Sequence, residues 1–184
     1  MNDTLIFDKE TGNLIINDKY IITPCMTVDE IKKTNLVELF IPNGEALINR
    51  ESPDVGIRNL TVDGKDVLLG ISLDADDVAI GRIEIYVDGA NEKCYGNLTL
   101  EEFQELSRVH KEFMLHMCQL ERLPRLGRVR FNKGYVDLRL DGRSPDVCIN
   151  ILYLPGREKF KDNPELLEEA HKKFLARYGI SKEE

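Results

Sequence analysis

At 184 residues the chain has the length of one ordinary domain, enough to bury a core without disulfide or metal staples. Hydrophobic residues make up 42% and charged residues 32%, and the aliphatic ones are spread along the whole chain, which excludes intrinsic disorder. A net charge of −8 and a pI near 5.0 set the surface against nucleic-acid phosphates and anionic lipid, and toward cationic partners.

The same acidity also serves plain solubility. No apolar run approaches the roughly 18 residues of a membrane span. The opening MNDTLIFDKE lacks the basic-then-apolar order of a signal peptide. The expectation is a cytosolic protein with reduced thiols and no membrane partner. Cys25, Cys94, Cys118 and Cys148 show no C-x-x-C spacing and no histidine at finger spacing, so neither a zinc site nor a redox pair is predicted.

Along the chain, Leu5–Phe7, Leu14–Ile16 and Tyr20–Ile22 read as strands of a small antiparallel meander, separated by Thr11-Gly12-Asn13 and Asn17-Asp18 and ended by Pro24. Thr27 with Glu30 three residues on is a capping-box pattern, which predicts a short helix from 28 to about 34. The stretch 42–56 is rich in Pro, Gly, Asn and charge and reads as a loop. Strands follow at Gly56–Val62, Val67–Leu73 and Val78–Val87, with Asp63-Gly64 as a hairpin turn. Thr99 and Glu102 form a second capping box. From there Phe103, Leu106, His110, Phe113, Met114, Met117 and Leu120 fall on one stripe of a long helix, opposite Glu105, Arg108, Glu112 and Gln119. Gly127–Asn132 and Tyr135–Leu140 alternate as a hairpin whose Arg and Asp residues can pair across strands. Val147–Leu154 is a nearly continuous apolar run, which predicts a central, covered strand. Asp162 to Tyr178 reads as an amphipathic helix with Pro164 at its first position and Gly179 at its stop.

The order is strands, long helix, strands, helix. It predicts a single α+β domain over 1–184: an antiparallel sheet of roughly six to nine strands, one long helix (about 99–121) packed on it, and a C-terminal amphipathic helix.

The densest carboxylate cluster is Asp74-Ala75-Asp76-Asp77. Hard cations use such oxygens, but Gly81 falls at position eight and Ile85 at position twelve, where an EF-hand needs Gly at six and Glu at twelve. A solvated turn on an acidic face is the better reading. His110 and His116 are six residues apart, so they project roughly 120° apart on a helix and cannot easily share a metal. His110 reads as a core histidine bonded to backbone, and His171 gets the same reading. Cys118 and Cys148 look like small buried apolar residues, and no cysteine has a histidine base beside it in sequence. Ser144 precedes Pro145 and lies outside any G-x-S-x-G elbow. No phosphate-cradling glycine motif occurs. Arg122, Arg125, Arg128 and Arg130, near Arg108 and Lys111, form the one basic cluster, read as complementing the helix C-terminus rather than holding an anion. With no tryptophan and 7% aromatics, a stacking platform for single strands is not expected.

Several short segments and their order carry a family resemblance. F-D-x-x-T-G-N-L-I-I at 7–16 and I-T-P-x-M-T at 22–27, followed by the long helix, L-G, G-Y-V-D-L-R-L and I-N-I-L-Y, resemble small orphan proteins of enteric bacteria. Several of those are immunity proteins, which neutralise a toxin from a neighbouring locus. The resemblance rests on turns and core strands, and no functional residue carries over from it. Together with the acidic balance and the missing catalytic constellation, it implies a non-catalytic interaction protein, an immunity or inhibitor protein binding a cationic toxin domain; from the motifs, no cofactor and no metal are expected. The acidic residues Asp74, Asp76, Asp77, Glu84 and Asp88 are the candidate binding face. The competing expectation is an enzyme or small-ligand binder with a pocket between the long helix and the sheet near His110. The oligomeric state is left open.

Overall fold

Residues 2–41, 54–74, 79–90, 98–125, 127–141 and 146–154 are described by this computed structural model, together with Glu165 and Lys172, both helical. The predicted helix at 162–178 lies outside the described residues except for those two positions.

Strands β1 (Leu5–Phe7), β2 (Leu14–Ile16) and β3 (Tyr20–Ile22) form the expected antiparallel meander. Asn17 and Asp18 both take left-handed φ, 54° and 51°, as a type I′ hairpin turn demands. Alternation turns Leu5, Phe7, Leu14, Ile16 and Ile22 inward, all buried. Helix α1 (Val28–Ile31) starts at the predicted capping box: the Glu30 N–H donates to Thr27 Oγ1 at 3.2 Å, and the Thr27 N–H donates back to Glu30 Oε2 at 2.8 Å. It ends earlier than expected, and a 3-10 turn capped by Thr34 (Asn35–Leu39) leads into β4 (Phe40–Ile41).

The main sheet adds β5 (Asp54–Val62), β6 (Lys65–Leu73), β7 (Ile80–Val87), β8 (Arg128–Phe131), β9 (Gly134–Asp141) and β10 (Asp146–Tyr153). Its order is β4-β5-β6-β7-β10-β9-β8, antiparallel throughout. The last strand therefore inserts at the centre, between β7 and β9. That is why Val147 to Ile151 are buried on both faces and why its sequence reads apolar without alternation.

Residues directly opposite one another share a face. One row runs Leu69, Ile85, Ile149, Leu138; the next runs Ile71, Ile83, Ile151, Val136, Val129. The long helix α2 (Leu100–Met117) lies on this apolar face, over β7, β9 and β10, and also meets β1. Leu106, Val109, His110, Phe113, Met114 and Met117 are its buried stripe. Each large aliphatic side chain taken from water there is worth roughly 1.5–3 kcal/mol before entropy is charged against it. At the C-terminus of α2, Gln119 adopts φ 51° and the Leu120 N–H reaches back to the Leu115 carbonyl at 2.8 Å, a Schellman closure in which glycine is the usual residue.

The meander does not extend the main sheet. Among the described residues only the bridge Asp3–Val62 joins the two. There the Thr61 N–H donates to Asp3 Oδ2 at 2.8 Å, and the Asn17 amide donates to Asp3 Oδ1 at 2.8 Å. At its other end Phe7 meets Phe131 edge-on at 5.2 Å, Phe131 meets Tyr153 at 5.9 Å, and the Tyr153 hydroxyl donates to the Gly12 carbonyl at 3.3 Å. Gly12 sits at φ +80°, and a Cβ there would lie 2.7 Å from the Phe131 ring, so no larger residue fits. The meander's inward residues therefore close the core from above, beside α2, in place of lengthening the ladder. The expected sheet of six to nine strands is a seven-stranded sheet with this separate three-stranded one.

Candidate functional site

The candidate acidic residues are strung along β7. Asp74 lies before it, where its N–H donates to the Ala79 carbonyl at 2.8 Å and its Oδ1 accepts from the Ala79 N–H at 3.4 Å. Asp88 lies just past its end at φ 52°. Its N–H donates to the Asp66 carbonyl at 2.8 Å, and its carboxylate accepts from the Asp66 N–H at 3.2 Å beside Lys65 at 3.8 Å. At about 3.3 Å per residue, the eight-residue strand holds these two ends on the order of 26 Å apart. Asp76 and Asp77 lie outside the described residues. Asp74, Glu84 and Asp88 are thus not brought into one patch, and the two outer ones build turns.

Glu84 has a different setting. It stands on the face of the sheet opposite α2, in the row Gly70, Glu84, Asn150, Asp137, Arg128. Arg82 reaches it at 3.5 Å, Arg139 at 3.7 Å, and the Tyr86 hydroxyl at 3.5 Å. Arg139 belongs to β9, two strands away. It crosses because the intervening β10 offers only the short side chains Cys148, opposite Arg139, and Asn150, opposite Glu84. Cys148 and Asn150 are buried on this polar face. Nearby, Arg128 pairs with Asp137 at 3.0 Å, the cross-strand pairing the alternation implied, and lies over the Tyr135 ring at 4.0 Å. The residue proposed as part of an acidic face is therefore ringed by guanidinium groups. Sequence reading missed this cluster because Glu84 and Arg139 are 55 positions apart and meet only through the strand order. The one local signal was polar alternation, Arg82-Glu84-Tyr86 and Asp137-Arg139, which fixes a shared face but no partner.

His110 is fully buried between α2 and β7. Its Nε2 accepts from the Val87 N–H at 3.1 Å, and its Nδ1 lies 2.8 Å from the Leu106 carbonyl. The acceptor role at Nε2 and the carbonyl at Nδ1 together fix the neutral tautomer with the proton on Nδ1. Burial pushes its pKa below the usual imidazole value, partly countered by the Leu106 carbonyl and the Asp88 charge. Both nitrogens are occupied by backbone, so neither is turned toward a ligand. His116, on the exposed flank, pairs with Asp63 at 2.5 Å and faces away from His110. Arg108 of the basic cluster is held by Glu105 at 2.6 Å and Glu112 at 2.7 Å on its own helix. Arg122, Arg125 and Arg130 are exposed.

Burial raises the thiol pKa of Cys25 and pushes that of Cys118 up to about 12, so neither is a ready nucleophile. Cys94 lies outside the described residues. Among the described residues no three His, Cys, Asp or Glu side chains group closely enough to hold a metal ion. No helix among them is long and apolar enough to cross a membrane.

No protein-family model matches the chain, and no curated protein matches it. Among solved structures, 97% of the chain corresponds to 99% of a chain in the structure described as "Rhs1-CT in complex with cognate immunity protein RhsI1", with a TM-score of 0.50 and 12% identity. The likeness is one of fold. It runs nearly end to end in both chains, so it concerns the whole architecture and not a shared supersecondary unit.

Proposed function

We propose that this chain is an immunity protein: a non-catalytic inhibitor that binds and neutralises a cognate toxin domain in the cytosol. The observation that carries the reading is the end-to-end correspondence with a chain from a complex of Rhs1-CT and its cognate immunity protein. Two further observations support it. The groups most able to do chemistry are engaged structurally: both His110 nitrogens bind backbone, the Cys25 and Cys118 thiols are held protonated, and Glu84 lies among Arg82 and Arg139. The net charge of −8 favours a cationic partner and fast encounter at low salt. The pocket alternative loses its central residue, because a buried, doubly bonded imidazole has nothing to offer a small molecule.

The test is binding of the purified chain to the purified product of the adjacent gene, by calorimetry at low and high salt. A tight stoichiometric complex that weakens as salt rises is the expected result. A complex indifferent to salt contradicts the cationic partner, and no complex contradicts the immunity role.

A further inference from the structure

The meander carries a second set of side chains that the core does not use. Between the inward residues stand Ile6, Ile15 and Ile21. Ile6 pairs directly with Ile15, and Ile15 with Ile21, so the three form one aligned apolar row across the outward face. Ile6 and Ile15 are partly exposed and Ile21 is 45% exposed. An antiparallel sheet that faces water normally alternates to polar residues on that side. The main sheet obeys this with Arg82, Glu84, Asp137 and Arg139, and the meander does not. A contiguous apolar strip with a polar border is the surface signature of an interaction site.

The border is acidic. Asp8 and Glu10 lie in the turn at one end of the strands, on one flank of the row, and Asp18 lies in the turn at the other end, on the opposite flank. Asp8 accepts from the Thr11 hydroxyl at 2.6 Å and from the Glu10 N–H at 2.9 Å, which holds its carboxyl below the usual carboxylate range. Of the two lysines in this region, Lys19 is folded onto its neighbour, with Nζ 2.7 Å from the Tyr20 hydroxyl. Residues 2–23 hold four carboxylates against two lysines. We infer that the Ile6–Ile15–Ile21 face is the anchor of the docking surface for the cognate toxin domain, whose matching surface is an apolar patch bordered by Lys or Arg. This rests on the immunity reading above and moves the contact from the residues around β7 to the N-terminal sheet. A second copy of the chain is a poorer occupant. Symmetric pairing would set acidic border against acidic border, and three isoleucines fall far short of the roughly 800 Å² per partner that a stable dimer buries. With a basic partner they need only be the central anchors of a wider contact.

Two variants test it against the purified product of the adjacent gene. The triple variant Ile6→Thr, Ile15→Thr, Ile21→Thr keeps β-branched shape and strand propensity. Ile21→Lys alone alters the most exposed of the three and places a positive charge where a basic partner must approach. Leu100→Thr, at another exposed apolar position, is the control. The expected result is a Kd raised about thirty-fold or more by the triple variant and about ten-fold by Ile21→Lys. The control and the thermal midpoints of Ile21→Lys and wild type should agree. Wild-type affinity in a folded Ile21→Lys variant overturns the docking face and leaves the immunity reading standing. Failure of the wild type itself to bind overturns that reading, and this face with it. A wild-type dimer that Ile21→Lys splits into monomers assigns the face to a second copy and overturns the proposal.

Discussion

On one face of the seven-stranded sheet, Ile71, Ile83, Ile151, Val136 and Val129 run in a row across five strands, covered by α2 and the meander. On the other, the neighbouring row carries Glu84, Asn150, Asp137 and Arg128, and the cover comes from the sheet's own long side chains leaning over short ones. Both arrangements bury β10. They differ in what each contact is worth. Apolar packing loses transfer energy and leaves a cavity when a side chain is cut, whereas a half-solvated ion pair exchanges one hydrogen bond for another with water. Stability should therefore concentrate on the helix face, and the arginine face should tolerate change.

The largest effect is expected from Ile149→Ala, at a fully buried position where β10 meets β7 and β9 under α2. Urea unfolding should show a loss of about 3–4 kcal/mol. Next comes His110. His110→Leu fills the space but strands the Val87 N–H, and should cost about 1–3 kcal/mol. His110→Gln can offer both an acceptor and a donor and should cost less.

The same residue gives the chain a pH dependence of definite sign. Its folded pKa lies below the ordinary 6.5, so between the two values the unfolded chain binds a proton that the folded chain refuses. Stability is thus held above pH 6.5 and lost as pH falls through the window beneath it. Thermal midpoints measured across that range should fall more steeply for wild type than for His110→Gln. Equal slopes would remove His110 from the account.

On the opposite face, Glu84→Gln should cost about 1 kcal/mol or less, since Arg82 and Arg139 keep access to water. A loss matching that of Ile149→Ala would break the contrast between the faces. The smallest change carries the opposite sign. Gln119→Gly relieves a left-handed φ of 51° at the end of α2 and should add about 0.5–1 kcal/mol in the same unfolding assay.

The sequence signals that succeeded were local. Thr27/Glu30 and Thr99/Glu102 marked two helix starts, Asp63-Gly64 marked a hairpin in which both residues take positive φ, and the nearly continuous apolar run from Val147 foretold a central strand. What escaped was decided by long-range placement. The meander's detachment from the main sheet depends on Phe131, Tyr153 and Gly12 meeting across more than a hundred residues. Strand β4 is two residues long and carries no pattern. Gln119 occupies a position where glycine would have announced the turn. The carboxylates near β7 looked like one cluster because they are close in sequence, yet an extended strand separates its ends, and only its centre finds the arginines. The row Ile6, Ile15, Ile21 was present in the strands that were read correctly. It became visible as a face only once the register aligned its members.

The claim that matters most is that this chain acts by occupying a partner and not by turning over a substrate. A titration of the adjacent gene product's toxic activity with increasing amounts of the chain measures that directly. Inhibition that rises linearly and stops at a one-to-one ratio is the predicted outcome; protection by far less than one equivalent, or none at any ratio, would contradict it.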